Sequence, residues 1–202
     1  MVKIDSRDRG KMKNVKSIID NACKEKKERD RKRGIINRPV RAMVAGIPNV
    51  GKSTFINSFA GKACAQTGNK PGVTKGKQWI RLNKDVELLD TPGILWPKFE
   101  DNTVGIRLAF IGSVNDQVIN MHELAGELVA YITRLYPGRL NERYKADESL
   151  QIADILRCIA TSRGCLKKGG EIDYDKAVSI LFDDFRSGKL GKVSLESPEE
   201  YL

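Results

Sequence analysis

The stretch Gly46-Ile47-Pro48-Asn49-Val50-Gly51-Lys52-Ser53-Thr54 decides the fold of this chain. It fits the phosphate-loop pattern G-x-x-x-x-G-K-[ST] at every fixed position. A short apolar run, Met43-Val44-Ala45, precedes it, and apolar residues at helical spacing follow it from Phe55 to Ala60. The pattern therefore predicts a loop that joins a buried strand to a helix, which is the setting in which this motif holds phosphate.

The fixed positions of the loop each have a chemical role. We expect Gly46 and Gly51 to let the backbone bend tightly around an anion. Free N–H groups at the start of the helix, together with the helix dipole, then attract that anion. Lys52 is expected to reach the outer phosphates, and the Ser53 hydroxyl is expected to bind Mg²⁺. A glycine-rich turn that matches by chance is the alternative, and the flanking strand and helix disfavour it.

A second string, Asp90-Thr91-Pro92-Gly93, follows a buried strand predicted at Val86–Leu89. An acid at the carboxyl end of a strand beside the phosphate loop can hold Mg²⁺ through water, and the Gly93 N–H can meet the terminal phosphate. Thr74, in the turn Pro71-Gly72-Val73-Thr74, lies between the two strings. Alone, the tetrapeptide is no more than a turn, but the three elements in this order are typical of a GTPase rather than a kinase or a generic ATPase.

Periodicity predicts the remaining elements of the first hundred residues. One helix is predicted from near Lys11 to just before Gly34, with an apolar face of Val15, Ile18, Ile19 and Ala22. Residues 61–76 are predicted to form a mobile loop. The predicted strands are Val2–Asp5, Arg41–Ala45, Lys77–Leu82 and Val86–Leu89, the last two forming a hairpin.

The rest of the chain has helical spacing and is predicted to form a small helical domain from about residue 115. A short helix at Thr103–Ile111 comes before it. Three longer helices follow at His122–Tyr136, Glu148–Ser162 and Tyr174–Arg186, and Asp173 is the expected cap of the last. Their apolar faces predict one shared core.

The net charge is +10, and its distribution is uneven. Residues 1–40 contain 14 Lys and Arg against 6 Asp and Glu, centred on the run Lys24–Arg33. Two interpretations stay open for this run: a solvated helix face with ion pairs, or a contact with a nucleic-acid backbone. The basic residues of the helical part mix with acids, and composition alone favours an ordinary solvated surface there.

Composition also narrows the class of protein. The sequence has no run of about 18 apolar residues and no signal-peptide pattern at its start. Its four cysteines form no C-x-x-C pair and indicate reduced, packed thiols of a cytoplasmic protein rather than a zinc site.

Three stretches carry a resemblance to a known family: the phosphate loop, Pro71-Gly72-Val73-Thr74, and Leu88-Leu89-Asp90-Thr91-Pro92-Gly93-Ile94-Leu95-Trp96-Pro97-Lys98. Together they resemble the circularly permuted ribosome-assembly GTPases, in particular the ribosome biogenesis GTPase A family of the YlqF type. The likeness runs over essentially all 202 residues. It implies an α/β P-loop GTPase domain, permuted and incomplete, followed by a small all-α domain. Residues 1–40 would end the permuted domain, 41–114 would carry the loop and switches, and 115–202 would contact RNA.

The resemblance also implies the ligands and their contacts. GTP or GDP would bind with Mg²⁺, and the catalytic residues would be Lys52, Thr74 and Gly93. Ser53, Thr74 and Asp90 would hold Mg²⁺, and Asn49 is similar to the asparagine that binds K⁺ in potassium-activated GTPases. The implied nucleotide contacts are Asn49, Val50, Gly51, Lys52, Ser53, Thr54, Gly93, Asp5 and Ser6.

The chain departs from the family pattern in two places. The guanine-reading motif N-K-x-D, which comes before the phosphate loop in that family, is absent, although Ile4-Asp5-Ser6 resembles the second base-contacting motif. We therefore expect a fragment or truncated product that begins just after N-K-x-D, with a gap in its sheet that exposes ladder groups. Ile94 replaces a water-orienting glutamine, and His122, the only histidine, is expected to be a surface residue at a helix start.

The resemblance implies a GTP-dependent assembly factor for the large ribosomal subunit. Its partners would be the subunit precursor, rRNA and a guanine nucleotide, with no membrane and no DNA. Two alternatives remain: an RNA-binding fragment that keeps a phosphate site without turnover, and a GTPase of another RNA process such as tRNA modification.

Overall fold

The computed structural model describes residues 4–6, 8–36, 38–65, 76–81, 84–93, 95 and 101–201. The chain divides into two compact units, residues 1–97 and 98–202. The first contains α1 (Arg9–Ala22), α2 (Lys24–Lys32), β1 (Val40–Val44), α3 (Lys52–Ala60), β2 (Gln78–Arg81) and β3 (Val86–Asp90). The second contains α4 (Asn102–Phe110), α5 (Met121–Leu135), α6 (Arg139–Tyr144), α7 (Ile152–Ser162) and α8 (Tyr174–Arg186), with 3-10 turns at Asp116–Val118 and Pro198–Tyr201.

The first unit is built on a three-stranded sheet in the order β1-β3-β2. β1 runs parallel to β3, and β2 pairs antiparallel with β3 as the predicted hairpin. The register places Val44 opposite Asp90, so the carboxyl ends of β1 and β3 lie side by side. This register brings the residues after β3 to the phosphate loop.

The core of the first unit lies between the sheet and α3. Ile56 of α3 is fully buried against Val86 and Leu88 of β3 and Ile80 of β2. Alternate residues along β1 and β3 face this core, as expected of strands that bury one face. The buried core fixes where α3 starts, and therefore where the phosphate loop ends.

The basic N-terminal helix differs from the prediction. It begins at Arg9 and is divided at Cys23 into α1 and α2. α1 buries Met12 and Val15, and Ile19 packs against the core, whereas Ile18 and Ala22 of the predicted face are exposed. No residue of α2 is buried, which agrees with the predicted loss of the apolar stripe. Ile4 and Asp5 lie outside any strand, and the rest of the predicted Val2–Asp5 strand lies outside the described residues.

The second unit is a helical bundle with one large core. Phe110 of α4, Leu128 and Ile132 of α5, Ile159 of α7 and Phe182 of α8 are all buried in it. Because α4 packs into this core, the division of the chain falls after residue 97, whereas the sequence suggested 114. In the described residues no helix is both long and apolar enough to cross a bilayer.

Two local details of the helical unit correct the sequence prediction, and a third agrees with it. α7 begins at Ile152 instead of Glu148, and Leu150 and Ile152 are exposed although they fit the apolar pattern. α6 was not predicted. α8 and its cap are confirmed, because the Asp173 side chain accepts a hydrogen bond from the Lys176 N–H.

Candidate functional site

The phosphate loop connects the end of β1 to the start of α3, as the motif predicted. Two of its residues have left-handed backbone conformations, Asn49 with φ 59° and Gly51 with φ 90°. Gly51 precedes α3 directly, and its carbonyl accepts the N–H of Phe55 at 2.8 Å as the first helical bond. The loop therefore curls back over the helix N-terminus, where backbone N–H groups are available to an anion.

The Lys52 ammonium lies over this loop. Its Nζ donates to the carbonyls of Gly46 at 3.0 Å and Ile47 at 2.8 Å. Partial burial lowers the pKa of Lys52, and the charge of Asp90 opposes that shift. A cation that is folded back onto the curled loop is placed to bind the outer phosphates of a nucleotide.

Asp90 ends β3 beside the loop and is completely buried. In the part of the chain that the structure describes, neither of its carboxylate oxygens has a hydrogen-bond partner. Burial raises the pKa of Asp90, whereas the Lys52 charge and the nearby Thr91 backbone lower it. A buried carboxylate without partners is costly, and a hydrated cation would supply the missing donors. The site thus fits Mg²⁺ held through water.

Thr91 is a site residue to which the sequence reasoning gave no role. Its hydroxyl donates to the Val44 carbonyl at 2.8 Å, and the residue is buried. The bond ties the residue that follows Asp90 to the last paired residue of β1, so it fixes how the chain continues from β3. The available signal was its position in the string Asp90-Thr91-Pro92-Gly93, between the acid and the glycine.

Gly93 lies directly against the phosphate loop. A Cβ built on Gly93 would lie 2.5 Å from both the Cα and the backbone nitrogen of Pro48. Pro48 is itself buried. This close approach explains why glycine occupies position 93, and it brings the predicted phosphate-sensing residue to the loop.

The segment that leads toward Thr74 is held by α3. The Asn57 side chain accepts the N–H groups of Cys64 and Ala65 at 2.9 and 2.8 Å and donates to the Ala65 carbonyl at 2.9 Å. These bonds hold the backbone of Cys64 and Ala65 against α3. Thr74 lies outside the described residues, as does most of the predicted mobile loop, so its role stays a prediction.

The structure brings Lys52, Asp90 and Gly93 together around the loop. Ser53 and Thr54 occupy the first turn of α3, and Val50 is exposed in the loop. The predicted contacts Asp5 and Ser6 lie in a turn before α1, where the Asp8 N–H donates to the Asp5 carbonyl at 3.0 Å. Their contact with the base stays a prediction, and Ile94 lies outside the described residues.

His122 is at the surface, as predicted. It is the second residue of α5, its side chain is 52% exposed, and its Nε2 lies 2.8 Å from Asp175 Oδ1. The four cysteines are free thiols; Cys165 is buried, whereas Cys23, Cys64 and Cys158 are only partly buried.

A phosphate loop at a strand–helix junction, with a buried acid at the end of the adjacent strand, defines a P-loop nucleotide-binding protein. Residues 41–157 match the family described as 50S ribosome-binding GTPase. The chain therefore belongs to this family. The predicted fold class, a P-loop GTPase domain followed by a helical part, is confirmed.

Individual relatives support the same assignment. Ribosome biogenesis GTPase A of Bacillus cereus is 47% identical over 191 residues, which are 94% of this chain and 64% of that protein. The protein of the same name from Thermotoga maritima is 37% identical, over 81% of this chain and 59% of its own length. The GDP-bound structure of T. maritima YlqF aligns with a TM-score of 0.57 and 30% identity, over 83% of this chain and 65% of that chain. The chain thus spans less than two thirds of each of these relatives, and the predicted resemblance to the YlqF type is confirmed.

Proposed function

We propose that this chain belongs to a GTP-binding and GTP-hydrolysing assembly factor for the large (50S) ribosomal subunit. Such a factor binds the pre-ribosome and its rRNA in one nucleotide state and leaves in the other. It would act in the cytoplasm, where subunits assemble in bacteria. The observation that carries the proposal is the buried Asp90 carboxylate beside the phosphate loop, for which the described residues supply no hydrogen-bond partner. The names of the relatives support the ribosomal role.

The residues of the site have distinct tasks in this proposal. Lys52 exchanges its bonds to the loop carbonyls for bonds to phosphate oxygens and so neutralises charge on the transferred group. Ser53 and Thr74 would bind Mg²⁺ directly, and Asp90 would hold it through water. The bound ion supplies positive charge at the phosphates, as in other phosphoryl-transfer sites.

Gly93 couples the nucleotide to the rest of the protein. Because its backbone touches Pro48, a change in the loop on γ-phosphate release must displace the segment that follows β3. Ile94 cannot orient water through a hydrogen bond, so hydrolysis needs another charge or donor. We assign part of that role to K⁺ at Asn49, which has a left-handed backbone conformation in the loop.

Sedimentation with large-subunit precursor particles tests the proposal. We expect about tenfold more protein in the particle fraction with a non-hydrolysable GTP analogue than with GDP, which corresponds to a coupling of the usual size for nucleotide switches. Lys52→Ala should abolish this difference. Lys62→Ala, an exposed lysine just beyond α3, is the matched control and should behave as wild type.

The alternatives predict other patterns in the same assay. An RNA-binding fragment without turnover would sediment equally with both nucleotides and with the Lys52→Ala variant. A GTPase of another RNA process would bind nucleotide through Lys52 but would not sediment with the particles. Either pattern would contradict the proposed function.

A further inference from the structure

Three cations converge on one buried carboxylate in the helical unit. Asp184 of α8 is 3% exposed. Arg143 donates to it through Nε at 2.9 Å and Nη2 at 3.1 Å, and Arg163 Nη2 and Lys189 Nζ lie at 3.4 and 3.2 Å. The Tyr144 hydroxyl also donates to Asp184, at 3.1 Å. We call Asp184, Arg143, Arg163 and Lys189 the Asp184 cluster.

The Asp184 cluster has an excess of positive charge. Burial alone would raise the pKa of Asp184, but hydrogen bonds from Arg143, Lys189 and Tyr144 outweigh it and hold the pKa below its ordinary value. The carboxylate is therefore ionised at neutral pH and cancels one of the three cations. A structural ion pair needs one cation, and each additional cation repels the first at this short range.

The two guanidinium groups are fixed in place. Arg143 is held by its two bonds to Asp184. The Arg163 guanidinium lies 5.1 Å from the centroid of the Tyr144 ring, and Tyr144 is buried. Because both planar groups are ordered, an anion that binds them does not have to immobilise flexible side chains.

The cations of the cluster are open to solvent on one side. The side chains of Arg143, Arg163 and Lys189 are 30%, 29% and 56% exposed, whereas that of Asp184 is 4% exposed. The bonds to Asp184 use Nε and Nη2 of Arg143 and Nη2 of Arg163, so they leave the Nη1 group of each outside the pair. The Asp184 carboxylate, which neutralises one of the cations, thus lies beneath the surface, and the cations are the more exposed part of the cluster.

A fourth cation lies close to the cluster. A Cβ at Gly191 would collide with the Arg139 guanidinium, so Arg139 lies on the turn that also carries Lys189. Within the described residues the one ion pair of Arg139 is a long one, 3.9 Å from its Nη1 to Glu142 Oε2. Arg139 therefore extends the positive surface beyond Lys189.

This positive surface does not follow from the composition of the helical unit. Residues 98–202 contain 14 Lys and Arg against 17 Asp and Glu, a net charge of −3. The +10 of the chain comes entirely from the first unit. A cluster of cations in an otherwise acidic unit is a local feature that needs its own explanation.

We propose that the Asp184 cluster is a binding site for a backbone phosphate of RNA. The Nη1 groups of Arg143 and Arg163 and the Lys189 ammonium can donate to several oxygens of a phosphodiester, which carries a single negative charge. The inference rests on the proposed function, because an assembly factor of the large subunit meets RNA as its substrate. The acidity of the surrounding unit limits contact to one or two phosphates, so the cluster anchors the RNA at a point rather than along a broad surface.

The test uses a variant that removes only the two excess cations. Arg163→Gln with Lys189→Gln leaves the Arg143–Asp184 pair intact, so the buried carboxylate keeps its main partner. The control is Arg157→Gln with Lys176→Gln, which removes the same charge from exposed positions on α7 and α8. Binding of the full chain to a large-subunit rRNA transcript is measured over a range of salt concentrations. GTP affinity and melting temperature are measured on the same preparations.

We expect the cluster variant to lose about tenfold in RNA affinity and to reduce the slope of log affinity against log salt by one to two. The control should lose less than about threefold, and both should keep wild-type GTP affinity. Equal losses in both variants, or a lower melting temperature with unchanged RNA affinity, would overturn the inference while leaving the proposed function intact. Competition by polyglutamate as strong as by RNA would point to an acidic protein partner and would also overturn it. Wild-type protein that binds GTP but no rRNA would reject the proposed function as well.

Discussion

Gly93 and Pro48 are in close backbone contact across the site. The contact is so tight that a Cβ on Gly93 would lie 2.5 Å from the Pro48 Cα and nitrogen. No side-chain carbon can occupy that space without moving the phosphate loop. The loop is connected to β1 and α3, and Gly93 follows β3, so this contact joins the two halves of the candidate site. The contact matters for function because the loop and the segment after β3 cannot move independently.

Replacing Gly93 by alanine should therefore damage both folding and nucleotide binding. We expect Gly93→Ala to lower the free energy of unfolding by about 1–3 kcal/mol through overpacking, and to weaken GTP binding at least about tenfold because the loop is displaced. Urea unfolding and nucleotide titration measure the two effects. Gly76→Ala is the control, since nothing lies within 4 Å of its Cβ position. A Gly93→Ala variant equal to the control would show that the contact is not tight in solution.

Asp90 should make the nucleotide-free protein less stable as the pH rises. Its pKa is raised on folding, so the folded state holds the proton more tightly than the unfolded state. Below the unfolded value near 3.8 the carboxyl is protonated in both states, and the destabilisation appears as pH rises through the folded pKa. Asp90→Asn should remove this pH dependence. At pH values above the folded-state pKa of Asp90, the substitution should raise the free energy of unfolding by about 1 kcal/mol.

The same substitution should have the opposite effect once nucleotide is present. Asn carries no charge for Mg²⁺, so Mg²⁺ and GTP should stabilise Asp90→Asn less than wild type. Asp85→Asn, an exposed acid one residue before β3, should change neither measurement. Thermal melts at pH 5 to 8, with EDTA and then with Mg²⁺ and GTP, compare the three proteins. An Asp90→Asn variant that is less stable than wild type in EDTA would contradict the assignment of an uncompensated charge.

Arg186 should be a major determinant of stability in the helical unit. Its guanidinium donates to the carbonyls of Phe110 and Ala109 at 2.9 Å and pairs with both oxygens of Asp116 at 2.7 and 2.8 Å. Arg186→Gln would leave two carbonyls and a carboxylate without donors, at a cost of about 2–4 kcal/mol. Denaturant unfolding monitored by circular dichroism should show this loss, with Arg134→Gln near wild type. A loss below about 1 kcal/mol would mean that water replaces the guanidinium.

A substitution at Asn49 can distinguish a role in the backbone conformation of the loop from a role in binding K⁺. Its φ of 59° is readily adopted by glycine, so Asn49→Gly keeps the loop conformation while removing the amide oxygen. If K⁺ binds there, wild-type GTP hydrolysis should be at least about tenfold faster in K⁺ than in Na⁺, and Asn49→Gly should abolish that difference without losing GTP affinity. Equal rates in both salts for the wild type would remove K⁺ from the proposal.

The elements that could be predicted from sequence are those with strong local signals. The phosphate loop, the β2–β3 hairpin and the Asp173 cap each depend on residues a few positions apart. The burial of Asp90 is also a local feature, because Asp90 comes directly after the buried strand predicted at Val86–Leu89.

The features that sequence could not give depend on contacts between distant residues. Asp184 looks like one acid on a mixed helix, and only the fold places cations from three other segments around it. α6 is six residues long, and only two of its residues, Leu140 and Tyr144, are buried. A helix this short does not produce a recognisable apolar periodicity in the sequence. Leu150 has an apolar side chain at a helical spacing, but α7 begins after it and leaves it exposed. The contact of Gly93 with Pro48 likewise joins two loops that are far apart in the sequence.

The central claim is that Lys52, Asp90 and the phosphate loop hold a magnesium-bound nucleoside triphosphate. Titration of a fluorescent GTP analogue into the chain, with Mg²⁺ and after its chelation, measures this directly. We expect Mg²⁺ to tighten binding by about tenfold or more and Lys52→Ala to weaken it by about a hundredfold, since a charge–phosphate contact is lost. Binding that is the same in both proteins and indifferent to Mg²⁺ would contradict it.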